Sequence, residues 1–349
     1  MTLYSKESVA ATCKAMSRTG RFVHSFLITG AQGTGKKVAA RYLAMSLLCS
    51  AKSPDNEPCG VCRECDRILR GQHPDFIEVD KSGVSFSVKD IREKVVADCY
   101  TPPNDCDRKV YLFVDCDGWT DAAQDALLKV TEDPPDYGYF IFTAKIREVF
   151  LPTLISRSMT MEVHEAGTRE CEAALKEYSL ISHKKKDFTE ENISRAAKIF
   201  GGNIGCAIEY IEGSGNLAGS SKPAGSGKLA RAANTAMEAA RAIAERNEYA
   251  LAAALTSASG NREEMRTVLE MLSRVIRDSA AARVFSGEGE NGNAAGFIGC
   301  AREESLRIAE FAGSAKLNEM YEAIREASYL CTRNCSGAAV ASVLTGKLL

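Results

Sequence analysis

The sequence predicts a parallel α/β domain followed by all-helical regions. Three observations predict it. Short apolar runs at 26–29, 109–114 and 139–143 alternate with segments of helical spacing. A glycine-rich turn, Gly30-Ala-Gln-Gly-Thr-Gly-Lys-Lys37, joins the first run to the first such segment. From about residue 166 the apolar runs give way to amphipathic stretches rich in Ala, Leu, Glu and Arg.

Taken in order, Phe26 to Thr29 reads as a buried strand ending in the turn. Val38, Ala39, Tyr42, Leu43, Ser46 and Leu47 then recur at helical spacing. Residues 109–114, Lys-Val-Tyr-Leu-Phe-Val, read as a second buried strand. The next helix runs from about Asp121 to Glu132, with Thr120 as N-cap and Pro134-Pro135 as its stop. Residues 139–143 suit a third buried strand. Segments 167–182 and 189–212 read as amphipathic helices, and 228–285 and 301–345 as a helical bundle. Between them lies GSGNLAGSSKPAGSG at 213–227, whose composition predicts a flexible linker or long loop, and 286–296 reads as a polar loop. The organisation is an α/β domain over 1–165 carrying a cysteine module at 49–65, a small helical domain over 166–212, the linker 213–227 and a helical domain over 228–349.

Composition bounds what such a chain does. With 44 Lys+Arg against 46 Asp+Glu, its net charge is -2, which argues against a protein that coats nucleic acid unaided. Hydrophobic residues make up 45%, enough for a substantial core and too many for a disordered chain. No apolar run approaches the ~20 residues of a membrane span, and the first residues show no basic-then-apolar export signal. A cytoplasmic protein without membrane partners is expected. Thirteen cysteines, an odd number scattered over the chain, do not form a disulfide framework. Most are expected to be reduced.

The turn fits G-x-x-x-x-G-K through Lys36. Its glycines let backbone N–H groups face phosphate oxygens, the helix start adds partial positive charge, and Lys36 can reach the β and γ phosphates. Gly30, Gly33, Gly35, Lys36 and Lys37 are therefore a candidate phosphate loop; a glycine-rich turn without ligand is the plainer alternative. The following position needs a Ser or Thr hydroxyl for Mg²⁺, and here it is Lys37. The strand end Val114-Asp115-Cys116-Asp117 offers one carboxylate directly after the apolar run, where a working ATPase needs a metal-holding acid. Asp115 reads equally as a turn residue or as the relic of a metal position. The loop is thus degenerate: ATP or ADP remains a candidate ligand, disfavoured by Lys37, and hydrolysis by this chain alone is not expected.

Cys49 at the end of a helix, followed by Cys59-Gly-Val-Cys62-Arg-Glu-Cys65, can place four thiolates around one Zn²⁺. Four sulfur ligands leave no open position for water, so the expected zinc is structural. Four free thiols in a loop are the alternative. The nine other cysteines show no ligand spacing. Arg157, in Leu151-Pro-Thr-Leu-Ile-Ser-Arg-Ser158, reads on residues alone as one surface arginine among many.

The succession LITGAQGTGKK, CGVCREC, DAAQDALLKVTEDPPDYGYFIF, LPTLISRS resembles the AAA+ subunits of bacterial DNA polymerase III clamp loaders over roughly residues 1–212. The fold implied is a RecA-like AAA+ P-loop domain with an inserted zinc knuckle, a helical lid and an all-α collar. Among those subunits the chain is similar to delta-prime rather than to the gamma/tau ATPase. It has Lys37 in place of Ser/Thr and Cys116 in place of a second acid. Its Gly202-Asn203-Ile204-Gly205 also lacks the arginine of the family's Gly-Ser-x-Arg turn. The resemblance implies partners: gamma/tau and delta subunits, the sliding clamp, and primed DNA through the complex. It implies that Arg157 acts in trans as an arginine finger on a neighbour's ATP, although Ser158 stands where Cys is usual. Any polymerase (nucleotidyltransferase) classification would come through membership of the holoenzyme. Two other functions compete: an active gamma/tau-like ATPase, and a zinc-stabilised DNA-binding adaptor for which the basic run 183–186 is the candidate contact.

Overall fold

The structure, a computed structural model, describes residues 7–19, 23–80, 91, 95–182, 187–214, 227–285, 301–333 and 335–349. Most of the linker at 213–227, the basic run 183–186 and the polar loop 286–296 lie outside the described residues. The chain divides into two compact units, Met1–Glu165 and Ala166–Leu349.

The first unit is an α/β sandwich. Its described strands are β1 (Ser25–Thr29), β2 (Phe76–Asp80), β3 (Lys109–Val114), β4 (Gly138–Ala144) and β5 (Met159–Glu162). They form one sheet in the order β2-β3-β4-β1-β5, every pairing parallel. Its described α-helices include α1 (Glu7–Thr19), α2 (Lys36–Leu48), α3 (Arg63–Leu69), α4 (Asp121–Glu132) and the single turn α5 (Pro152–Ile155).

β1, β3 and β4 are buried along their whole length, as parallel strands covered on both faces must be. Strand alternation sorts their side chains into two cores. Phe26, Ile28, Val110, Leu112 and Ile141 pack under α1 and α2. Leu27, Tyr111, Phe113, Phe140 and Phe142 pack under α4 on the other face. Here Tyr111 stacks on Phe140 at 5.4 Å and Phe113 on Phe142 at 5.0 Å, and Trp119 meets Phe113 edge-on. Thr120 caps α4 by accepting from the Ala123 N–H at 3.3 Å.

The sequence reading found the three central strands. It missed both edges and α1. β2 fully buries only Phe76, and β5 only Met161, so neither carries a continuous apolar run.

In the second unit, α6 (Thr168–Ile181), α7 (Glu190–Ile199) and α8 (Ile204–Ser214) enclose Cys171, Leu175, Ile193, Ala197, Phe200 and Ile211. The helical stretch 189–212 is broken where Gly201 and Gly202 take φ of 57° and 95°. Buried Asn203 then opens α8 by accepting from the Cys206 N–H. A larger core joins α9 (Lys228–Ala244), α10 (Glu248–Ala258), α11 (Arg262–Phe285), α12 (Arg302–Phe311), α13 (Ser314–Thr332) and α14 (Gly337–Leu348). Ala232, Ala236, Ala239 and Ala240 of α9 let neighbouring helices approach closely, while Leu and Met residues of α11 and α13 fill the remaining space.

Candidate functional site

The phosphate loop leaves the buried end of β1 and turns directly into α2. Gly30, Gly33 and Gly35 have φ of 154°, 80° and 85°, a region where side chains are strained. At Gly30 a Cβ would stand 2.3 Å from the Val163 carbonyl oxygen, so the loop's first turn is glycine by contact as well as by conformation. Lys36 is buried, and its ammonium donates to the carbonyls of Gly30 and Ala31, each at 3.0 Å. The loop is therefore closed by its own lysine. Thr34 adds a 2.9 Å bond to Ala31 O.

Lys37 does not join them. Its ammonium lies 2.7 Å from Glu78 and 2.6 Å from Asp80, both on β2. One turn further along α2, Arg41 makes a two-point contact with the same Glu78, at 2.8 and 3.0 Å. Burial opposes the Lys37 charge, but the bonds from Asp80 and Glu78 outweigh it and hold its pKa above the usual lysine value. The second cation read as part of the phosphate loop instead fastens α2 to an edge strand.

At the end of β3, Asp115 is exposed and left-handed, with φ 51° and ψ 64°, a turn conformation that Asp tolerates. Its N–H donates to Thr143 Oγ1 at 2.9 Å. The carboxylate tied into the fold here is Asp117, which accepts from the Lys145 N–H at 2.8 Å.

The four cysteines converge. Cys49 is the residue after α2, Cys62 caps α3, and Cys65 lies within α3. All four sulfurs lie within 4.8 Å of one another. Cys49 Sγ is 3.6 Å from Cys59 Sγ and 3.8 Å from Cys62 Sγ. A tetrahedron with Zn–S bonds of ~2.3 Å has edges of ~3.8 Å, so the sulfurs are spaced to hold Zn²⁺. Backbone N–H groups of Cys59, Cys62 and Cys65 point at the sulfurs of Cys49, Cys59 and Cys62, as stabilised thiolates require. Gly60 supplies the turn with φ 73°. The N–H groups of Val61 and Cys62 lower the Cys59 thiol to about 7, whereas burial raises Cys49 and Cys65. Metal binding would deprotonate the last two.

Behind the knuckle, fully buried Asp75 accepts from the N–H groups of Asn104, Asp105 and Cys106 and from the Asn104 amide, at 2.6 to 3.0 Å. Cys106, so held, packs against the same buried core as Cys59 and Cys62, with its sulfur 3.6 Å from His73 Nε2. The His73 Nδ1 accepts from the Asp75 N–H.

Arg157 stands on a third element, the turn between α5 and β5. Its Nη1 donates to Thr153 O at 2.8 Å, and its Nη2 lies 2.8 Å from Glu132 Oε1. None of these partners belongs to the phosphate loop. Gln124, buried in α4, fixes the approach to α5 by donating to Val149 O and accepting from the Leu151 N–H.

The sequence reading did not single out Glu78, Asp80, Asp75, Gln124 or Glu132 for a role. A signal existed for the first two. Glu78 and Asp80 share a strand face by the period of two, and Lys37 and Arg41 share a helix face by the period of four. Nothing in the order of residues says that those faces meet.

Comparison with known proteins finds similar chains for the amino-terminal part. Residues 5–166 match the family described as DNA polymerase III, delta subunit. The gamma/tau subunit of Mycobacterium tuberculosis is 36% identical over 155 residues, 44% of this chain and 26% of that one. The gamma subunit of Buchnera aphidicola is 30% identical over 212 residues, 61% and 57% of the two chains. The delta' subunit of Bacillus subtilis is 30% identical over 164 residues, 47% and 49%. The chain thus covers from about a quarter to somewhat over half of the length of these relatives.

Proposed function

We propose that this chain, whose amino-terminal unit belongs to the DNA polymerase III subunit family matched by residues 5–166, is a clamp-loader subunit of delta-prime type that does not hydrolyse ATP itself. In this reading it assembles with gamma/tau and delta subunits, helps place the sliding clamp on primed DNA, and presents Arg157 to the ATP of the adjacent gamma/tau subunit. Residues 166–212 serve as the lid, 213–227 as a linker and 228–349 as the collar. Cys49, Cys59, Cys62 and Cys65 hold a structural zinc.

One observation carries the reading. Lys37 fills the position of the magnesium-binding hydroxyl, and its ammonium is committed to Glu78 and Asp80. A protonated amine has no lone pair to offer Mg²⁺, and this one is engaged with two carboxylates instead. The exposed, left-handed Asp115 supports the same conclusion, since Cys116 rather than a second acid follows it directly.

A guanidinium at the developing phosphoryl charge contributes ~10³-fold or more to turnover. In a reconstituted complex, Arg157→Ala is therefore expected to leave assembly intact and to depress ATP hydrolysis at that one interface. Purified alone, the chain should show no Mg²⁺-dependent turnover above a Lys36→Ala control. Turnover by the isolated chain, or an undisturbed rate in the Arg157→Ala complex, would overturn the proposal.

The retained loop favours a second reading, an active gamma/tau-like ATPase. Its glycines are left-handed and Lys36 is in place. The isolated-chain measurement separates the two.

A further inference from the structure

Arg157 has fixed neighbours in its own chain. Below it the backbone is pinned: the Arg157 N–H donates to Leu154 O, Ser158 Oγ donates to the same carbonyl at 2.8 Å, and Leu154 is buried in the α4 core. Above it, Glu132 is the last residue of α4, a helix anchored by buried Leu127 and Val130 and capped by Thr120. Gln124 ties α4 to the segment that leads into α5. The Glu132 carboxylate and the Arg157 guanidinium are thus aimed at each other by one rigid framework and meet at 2.8 Å. Yet both are solvent-accessible, with 49% and 36% of their side-chain surfaces exposed. An ion pair so exposed adds little to folding. The fold has no evident need of it.

We propose that Glu132 is a positioning residue for Arg157. It holds the guanidinium against its own domain until the polyphosphate of a neighbouring subunit displaces it. This rests on the arginine-finger reading above. The exchange is one of ion pairs only. A triphosphate carries more negative charge than one carboxylate, and the pair is weak enough to be given up. Meanwhile the Thr153 carbonyl, on Nη1, keeps the side chain from wandering when Nη2 changes partner.

The test uses the full-length chain reconstituted with its gamma/tau and delta-type partners, with steady-state ATP turnover followed over ATP concentration and salt. Glu132→Gln keeps the shape and removes the charge. It is expected to raise kcat about 1.5- to 5-fold, the range for loss of an exposed pair, with KM for ATP unchanged. The gain should shrink as salt rises, because the pair in the parent is then already screened. No gain is expected in an Arg157→Ala background, or from Asp133→Asn next door. If Arg157→Ala depresses turnover but Glu132→Gln leaves kcat unchanged or lowers it, the positioning role is overturned and the finger stands. An equal gain with Arg157 already removed, or from Asp133→Asn, also overturns it. If Arg157→Ala changes nothing, the finger reading fails and this proposal fails with it.

Discussion

Asp75 shows how a single residue can tie together segments far apart in the chain. Its carboxylate is fully buried and organises residues 104–106, of which Asp105 pairs with Arg67 of α3. Burial pushes its pKa up, but the N–H groups of Asn104, Asp105 and Cys106 outweigh that and hold it below the ordinary 3.8. The folded value is thus the lower one, so the stabilisation is complete above the unfolded pKa and is lost as pH falls through the folded one. Asp75→Ala is expected to cost about 3 kcal/mol at neutral pH, since it strands several buried donors at once. Urea unfolding should show the gap to the parent narrowing only below about pH 4; a gap that is already closing at pH 6 would assign the stability to another group. At this scale, legibility depended on whether chemistry is written in spacing. The run Cys59, Cys62, Cys65 announces a metal site by its intervals, and Cys49 follows from the helix before it. Asp75 lies in an unremarkable Pro-Asp-Phe, and its partners are some thirty residues away. Lys37 was legible as an anomaly, but its partners Glu78 and Asp80 were not.

At the level of elements, the central strands were readable because burial on both faces leaves an unbroken apolar run. The edge strands were not, because β2 alternates Phe76-Ile77-Glu78-Val79-Asp80 and uses its carboxylates to bind α2. The junctions depend on glycine in two physically different ways. Gly30 has no room for a Cβ, which would sit 2.3 Å from the Val163 carbonyl next to β5. Gly60 has φ 73° but open space around it. Gly30→Ala must therefore move the backbone between β1 and β5, and should destabilise the amino-terminal unit by about 3 kcal/mol. Gly60→Ala should cost about 1 kcal/mol, the left-handed penalty alone. Denaturant midpoints of the two variants measure the difference directly. Equal losses would mean that the loop after β1 yields more readily than its packing implies. The break between α7 and α8 belongs to the same class. The helical pattern of 189–212 is real, but Gly201 and Gly202 divide it, and Gly202 could carry no side chain because a Cβ would fall 1.6 Å from Ala166 O.

For the whole molecule, the division into an α/β unit and an all-helical unit was written in the shift of pattern near residue 166, where apolar runs stop and alanine-rich amphipathic segments begin. How the helices of the second unit pack was not written there, because α9 presents small residues to several neighbours and its sequence does not choose among them. The two units differ in what holds them. The first unit carries the four clustered thiols, and the described cores of the second are packed from alanine and larger aliphatic side chains with a few aromatic ones. Its single tryptophan, Trp119, is buried against Phe113 and Phe142 in the first unit. Fluorescence therefore reports that unit, while far-ultraviolet ellipticity is dominated by the helices of the second. A ligand present at a thousand times its Kd stabilises by about 4 kcal/mol, which corresponds to roughly 10 °C in a domain of this size. Removing zinc with a strong chelator should lower the fluorescence-detected midpoint by about that much and the ellipticity midpoint by far less. Cys62→Ala should reproduce the shift and abolish any further effect of the chelator. Coincident shifts in both signals would tie the metal to the stability of the entire chain, and an unmoved fluorescence midpoint would reduce the knuckle to four thiols that merely lie close together.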